Sequence, residues 1–203
     1  ISAAERVICR CPWTPPELTT EQAARLKQAG LHAYNHNLDT GPEHYDQVVS
    51  TRTYQDRLDT LANVGAAGIS VCCGGILGLG ESHDDRIELL HALASLAVPP
   101  ESVPINALVP IPGTPMGNQA PTTMWDILRM IAATRVVLPD AMVRLSAGRD
   151  RLSAAEQALC FLAGANSIFS GDQLLTTPHP GADADAELLR TLELKPLAPQ
   201  PVA

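Results

Sequence analysis

The chain has 203 residues, a formal net charge of -8 and a pI near 5.1, with 14 Lys and Arg scattered among 22 Asp and Glu. That balance excludes an extended phosphate-binding face, which needs clustered basic residues, and a 3% aromatic content offers no stacking platform for single strands. No apolar run approaches the roughly 20 residues of a bilayer-spanning helix and no charged-then-apolar leader opens the sequence, so a cytoplasmic protein without nucleic-acid or membrane partners is expected.

The five cysteines, Cys9, Cys11, Cys72, Cys73 and Cys160, are odd in number and irregular in spacing, which argues against a secreted disulfide framework. From Thr19 onward a helix with an N-cap signal alternates with a short apolar strand. Thr19 and Gln22 form a capping-box pair ahead of a helix that stops at Gly30, and Leu31 to Asn35 follows as a strand. Tyr54, Leu58 and Leu61 mark one face of a second helix stopping near Gly68, before a strand from Ile69 to Cys73. Ser82 caps a third helix that ends at Pro99-Pro100, ahead of the strand Ser102 to Val109. Thr122 or Thr123 opens a fourth, and Met142 to Ser146 is the next strand. Ser153 with Glu156 caps a fifth helix that leads to a strand at Asn166 to Ser170. A last amphipathic helix covers about Asp183 to Leu192, and residues 195–203 form a Pro-rich tail expected to be flexible.

Five strands separated by helices, without hairpin signals, imply a parallel α/β sheet. Strand parity separates an open sheet from a barrel. In each strand one parity is apolar and the other carries polar residues: Asn35 and Asn37, Ser70 and Cys72, Ser102 and Asn106, Met142, Arg144 and Ser146. Helices on both faces of an open sheet would leave these buried without partners, whereas a barrel points them into a ligand-holding lumen, so part of a (β/α)8 barrel is expected. An inward Arg144 calls for an anionic neighbour, since no inward carboxylate stands on the adjoining strands. A cluster thiolate at Cys72, a substrate carboxylate or a loop acid such as Asp150 would each serve. Plainer roles stay open as well, with Cys72 as a core thiol and Asn35, Asn37 and Asn106 satisfying backbone groups at strand ends. The Gly74–Gly80 stretch could cradle a phosphate, and the six histidines show no metal-ligand spacing.

Read as strings, Tyr34-Asn35-His36-Asn37-Leu38-Asp39-Thr40, Thr51-Arg52-Thr53-Tyr54-Gln55-Asp56-Arg57, Val71-Cys72-Cys73-Gly74-Gly75-Ile76 and Val143-Arg144-Leu145-Ser146-Ala147-Gly148-Arg149 resemble the biotin synthase family. So do Ser102-Val103-Pro104-Ile105-Asn106, Pro112-Gly113-Thr114-Pro115, Gly164-Ala165-Asn166-Ser167-Ile168 and Leu174-Leu175-Thr176-Thr177-Pro178. The resemblance implies the last five β/α units of a radical S-adenosylmethionine barrel over residues 19–194, and an enzyme that inserts sulfur into dethiobiotin to form biotin. It implies a 2Fe–2S cluster on Cys72 and Arg144, with Cys11 a further candidate and Ser102 and Ser167 supporting the arginine. S-adenosylmethionine would meet Asn37, Asp39, Arg57 and Val109, and dethiobiotin would meet Asn35, Asn37, Asn106, Thr176 and Thr177. An electron-donor protein and a homodimer in the full-length enzyme are implied too.

The family's C-x-x-x-C-x-x-C loop for a 4Fe–4S cluster is absent from these residues. Residues 1–18 look atypical, and two accounts stand: a local insertion that keeps Cys11 as a ligand, or an out-of-frame segment in place of the true one. The chain is therefore expected to be the C-terminal part of such an enzyme and inactive alone. A non-catalytic remnant of a broken gene, or another barrel enzyme with a phosphorylated substrate, are the alternatives.

Overall fold

The computed structural model describes residues 8–9, 18–169, 173–174, 177–178 and 181–197. In chain order its elements are β1 (Ile8–Cys9), α1 (Thr20–Gln28), β2 (Ala33–Asn35), α2 (Pro42–Val48), α3 (Tyr54–Ala66), β3 (Ser70–Cys72), β4 (Gly75–Leu77), α4 (His83–Ala94) and β5 (Ser102–Ala107). There follow α5 (Met124–Val137), β6 (Met142–Leu145), a 3-10 turn at Arg149–Arg151, α6 (Ala154–Leu162), β7 (Ser167–Ile168), β8 (Gln173–Leu174), β9 (Thr177–Pro178) and α7 (Ala182–Thr191).

Seven strands form one parallel sheet in the order β1-β2-β3-β5-β6-β7, with β4 also beside β5. The order rises without a reversal. A doubly wound sheet reverses at its switch point, so this winding is that of a (β/α) barrel sector. The helices lie against one face. Tyr34, Val71, Cys73, Val103, Ile105, Val143 and Leu145 are each 3% exposed or less and join Leu61, Val64, Leu90, Leu93, Ile127, Ile131 and Cys160 in one core. On the opposite parity Asn35, Asn106, Arg144 and Ser167 are only half-buried and Met142 is exposed. Truncating a core side chain such as Leu93 to Ala would cost about 2–5 kcal/mol, because the cavity collapses only in part.

The helix starts follow the capping chemistry. Thr19, Thr53, Ser82 and Ser153 each accept from the backbone N–H three residues on, and the side chain at that position returns the bond. Thr123 rather than Thr122 caps α5.

The structure also holds elements that the sequence reading did not include. β1 pairs Ile8 with Ala33 and Cys9 with Tyr34, so a strand lies inside the segment that reads as atypical. Pro42–Val48 is a short helix begun by Pro at its first turn. Gly75–Leu77, read as part of a turn, is a strand that continues the register of β3 along β5 past a break at Cys73-Gly74. A Cβ at Gly74 would lie 2.1 Å from the Pro104 carbonyl oxygen, which explains the glycine by close approach. β8 and β9 pair antiparallel although no hairpin signal was apparent.

Candidate functional site

Register sets the polar face. Asn35 on β2 stands beside Cys72 on β3, Cys72 beside Ser102 on β5, and Ser102 beside Met142 on β6. Two residues further along, Pro104 stands beside Arg144, and Arg144 beside Ser167 on β7. Register partners project to the same face, so a thiol, a guanidinium, two hydroxyls and a carboxamide share it. Cys72 is 5% exposed, and the Asn35 Nδ2 donates to its Sγ at 3.6 Å. Arg144 Nε donates to Ser167 Oγ at 3.2 Å, and among the described residues Arg144 has no carboxylate within ion-pair reach, Asp150 included. Ser102 Oγ is buried without a partner among the described residues.

The other two asparagines engage the backbone. Asn37 Oδ1 accepts from Gly74 N at 3.1 Å. Asn106 Nδ2 donates to the Gly75 carbonyl at 3.0 Å and its Oδ1 accepts from Ala147 N at 3.3 Å. Each carboxamide ties a strand end to the next strand, and each retains hydrogen-bonding capacity on its second hydrogen or lone pair.

Beyond β2 the chain reaches Asp39, whose φ of 68° lies in the left-handed region. Its carboxylate meets Arg57 Nη2 at 2.9 Å, while Arg57 Nε donates to Tyr45 Oη and Nη1 to the Asn37 carbonyl, both at 2.9 Å. Burial raises the Asp39 carboxyl above its ordinary range and Arg57 opposes that shift. The buried His36 ring, beside Tyr34, is held neutral by burial and by the nearby Arg57 and Arg52, its pKa lowered to about 3. Val109, two residues beyond the end of β5, is half-buried.

The glycine-rich turn is filled from within. Glu81 accepts from Gly78 N at 3.0 Å and Leu79 N at 2.7 Å, and Arg86 clamps it through Nε at 2.9 Å. Arg86 also reaches Asp126 at 2.9 Å, which ties the turn to α4 and α5. The amides that a phosphate would need are therefore held by a carboxylate that is 3% exposed, and the expectation of a phosphorylated substrate at this turn is overturned.

Sequence reading missed a second network. Arg149, fully buried, donates to Gln157 Oε1 and to the Phe169 carbonyl, each at 3.0 Å, and pairs with Asp185 of α7. Only the run of small residues ending in Arg149 hints at it. Cys11 and Thr176 lie outside the described residues, and of Thr177 only the strand is described. No group of three or more His, Cys, Asp and Glu that could hold a metal ion occurs among the described residues. What the described face does offer fits a sulfur-rich anion: one buried thiol, one guanidinium without a carboxylate partner, and an orphaned serine hydroxyl between them.

Comparison with known proteins adds the family. The model for the biotin and thiamin synthesis associated domain matches residues 104–195 and that for the radical SAM superfamily matches residues 4–93. The biotin synthase of Cytophaga hutchinsonii is 63% identical over 179 residues, covering 88% of this chain and 53% of that protein. That of Gloeobacter violaceus is 64% identical with 88% and 56% covered, and the mitochondrial biotin synthase of Arabidopsis thaliana is 60% identical with 88% and 47% covered. The chain thus spans about half the length of the curated relatives it matches. Among solved structures, methylornithine synthase superposes with a TM-score of 0.71 at 19% identity, over 89% of this chain and 56% of that one. The FeFe-hydrogenase maturase of Carboxydothermus hydrogenoformans gives 0.70 at 19%, over 87% and 44%. At that identity the likeness establishes the α/β fold alone. The identities near 60% and the two domain matches in tandem go further: over 88% of its length this chain is similar to the part of the biotin synthases that it covers.

Proposed function

We propose that this chain carries the substrate side and the sulfur-cluster side of a biotin synthase, which converts dethiobiotin to biotin by a radical mechanism. The observation that carries the reading is the shared sheet face of Cys72 and Arg144, where a guanidinium without a carboxylate stands across β5 from a buried thiol. Cys72 and Arg144 would hold a 2Fe–2S cluster, with Cys11 a candidate third ligand and Ser102 and Ser167 bracing the arginine. When bound, that cluster supplies the inserted sulfur, while S-adenosylmethionine with a 4Fe–4S cluster supplies the radical.

The protein's own residues bind and orient. Asn37 keeps its amide N–H groups for a ligand because its oxygen is engaged by Gly74, and with Asn35 and Asn106 it matches a urea's mixed donors and acceptors. Thr176 and Thr177 would receive the substrate carboxylate. Asp39 would bind the ribose, Arg57 the methionine carboxylate and Val109 the adenine. Arg57 has a donor left on each Nη after its bonds to Asn37 and Asp39, which is what a carboxylate requires. Residues 19–194 form the barrel part in this reading, and the family resemblance adds an electron-donor protein, a homodimer and a cytoplasmic location.

Anaerobic reconstitution of the chain with iron and sulfide tests the proposal. A visible spectrum of the 2Fe–2S type, lost in Cys72→Ala, is expected; a spectrum unchanged by that substitution removes Cys72 from the cluster.

A further inference from the structure

The Cys72 sulfur already has a donor. Asn35 and Cys72 are register partners on adjoining strands, and the Asn35 Nδ2 lies 3.6 Å from Sγ. That is within reach for a sulfur acceptor, and the sulfur is nearly removed from solvent at 5% exposure of the residue. Of the other polar side chains of this face, Asn37 is directed to Gly74, Asn106 to Gly75 and Ala147, and Arg144 to Ser167, while the Ser102 hydroxyl bonds to no described residue. Among the described residues Asn35 is therefore the side chain that donates to this sulfur.

We propose that Asn35 is a tuning residue for a cluster bound at Cys72, its amide N–H raising the reduction potential above the value the thiolate alone would set. The inference rests on the reading of Cys72 as a cluster ligand and goes beyond it, since that reading gives Asn35 only to the substrate. One-electron reduction of the cluster adds one unit of negative charge, which spreads over its sulfurs, so a hydrogen bond to a ligating sulfur strengthens on reduction and favours the reduced form. In a site shielded from water that bond is not replaced by solvent when it is removed. The constraint is geometric as well, because a carboxamide bonded to Sγ holds the cysteine rotamer on the shared face.

The test is a redox titration of the anaerobically reconstituted chain with a chemical reductant and mediators, followed by visible absorption and electron paramagnetic resonance. Asn35→Leu removes the donor at similar volume, and Asn35→Asp removes it at nearly identical shape while adding a charge. Both midpoints should shift negative, Asn35→Asp by more. Wild-type midpoints in the loaded variants overturn the inference and leave the cluster reading standing. A second measurement needs no variant: in deuterium oxide the Fe–S(Cys) stretch of the wild-type cluster should shift in the resonance Raman spectrum, and an unshifted band overturns the inference. A wild-type chain that yields no 2Fe–2S spectrum, or a Cys72→Ala chain that keeps it, removes the cluster reading and this inference together.

Discussion

Arg57 and Asp39 meet at 2.9 Å, and the pair stabilises a backbone turn that Asp39 adopts at positive φ. Arg57 also binds the Asn37 carbonyl and the Tyr45 hydroxyl, so one guanidinium from α3 organises the whole end of β2. Two of the four residues expected to contact S-adenosylmethionine are thus first of all each other's partners. Asp39→Asn tolerates the left-handed conformation as well as Asp does but leaves Arg57 without its counter-charge. Loss of about 1.5–3 kcal/mol in urea unfolding is expected, the range for hydrogen bonds to charged groups. Arg57→Lys should lose a similar amount, because a single ammonium cannot span three acceptors; wild-type stability in both variants would show the triad to be incidental.

Glu81 turns a phosphate-like cradle into a structural joint. Replacing it by Gln sets an amide NH2 against the Gly78 and Leu79 N–H groups and removes the charge facing Arg86. The variant should be destabilised by about 3–5 kcal/mol, as for one partner lost from a buried pair. Inorganic phosphate should leave the wild-type melting temperature unchanged, since its site is filled. A phosphate-dependent rise would reopen the turn as an anion site.

How much of this was legible in the sequence depends on whether the signal is local. Capping at Thr19, Ser82 and Ser153 and the parity of Cys72, Ser102 and Arg144 can be read directly, because both depend on spacings of two or three residues. The strand at Gly75–Leu77 could not, since glycines on either side of two apolar residues resemble a turn until Pro104 is known to pass within contact of Gly74. Glu81 was hidden for a related reason: a carboxylate folding back three residues onto amides leaves no compositional trace. Arg149 and Asp185 are 36 residues apart, and only tertiary packing pairs them. At the site, the family resemblance leads one to expect Asn37 and Asn106 near a ligand, and the structure gives each a backbone bond to keep.

That Arg149–Asp185 pair should behave as a buried ion pair. It joins the end of β6 to α7, with Gln157 and the Phe169 carbonyl among the guanidinium's other partners. Asp185→Asn removes a counter-charge from a guanidinium with essentially no exposure and should cost about 3–5 kcal/mol. Arg149→Met with Asp185→Leu removes both charges at once and should recover most of that loss. A double variant no more stable than Asp185→Asn would mean that the contacts to Gln157 and Phe169, not the charges, carry the joint.

Cysteine chemistry offers a last discrimination, independent of any cluster. The thiolate is the nucleophile in alkylation. Burial pushes the Cys160 thiol up to about 11 and raises Cys73 further. At pH 8 the thiolate fraction of a group titrating at 11 is about one in a thousand, against roughly a quarter for an ordinary cysteine. Neither thiol has any solvent exposure, so access and ionisation act in the same direction. Iodoacetamide treatment of the native chain at pH 8, with peptides mapped by mass spectrometry, should leave Cys73 and Cys160 unmodified until denaturant is added. Raising the pH toward 10 should increase the alkylation of Cys160 before that of Cys73, because its thiolate becomes accessible to titration first. Prompt labelling of Cys73 in the folded chain would contradict its place in the helix-covered core, and with it the strand parity that turns Cys72 to the other face.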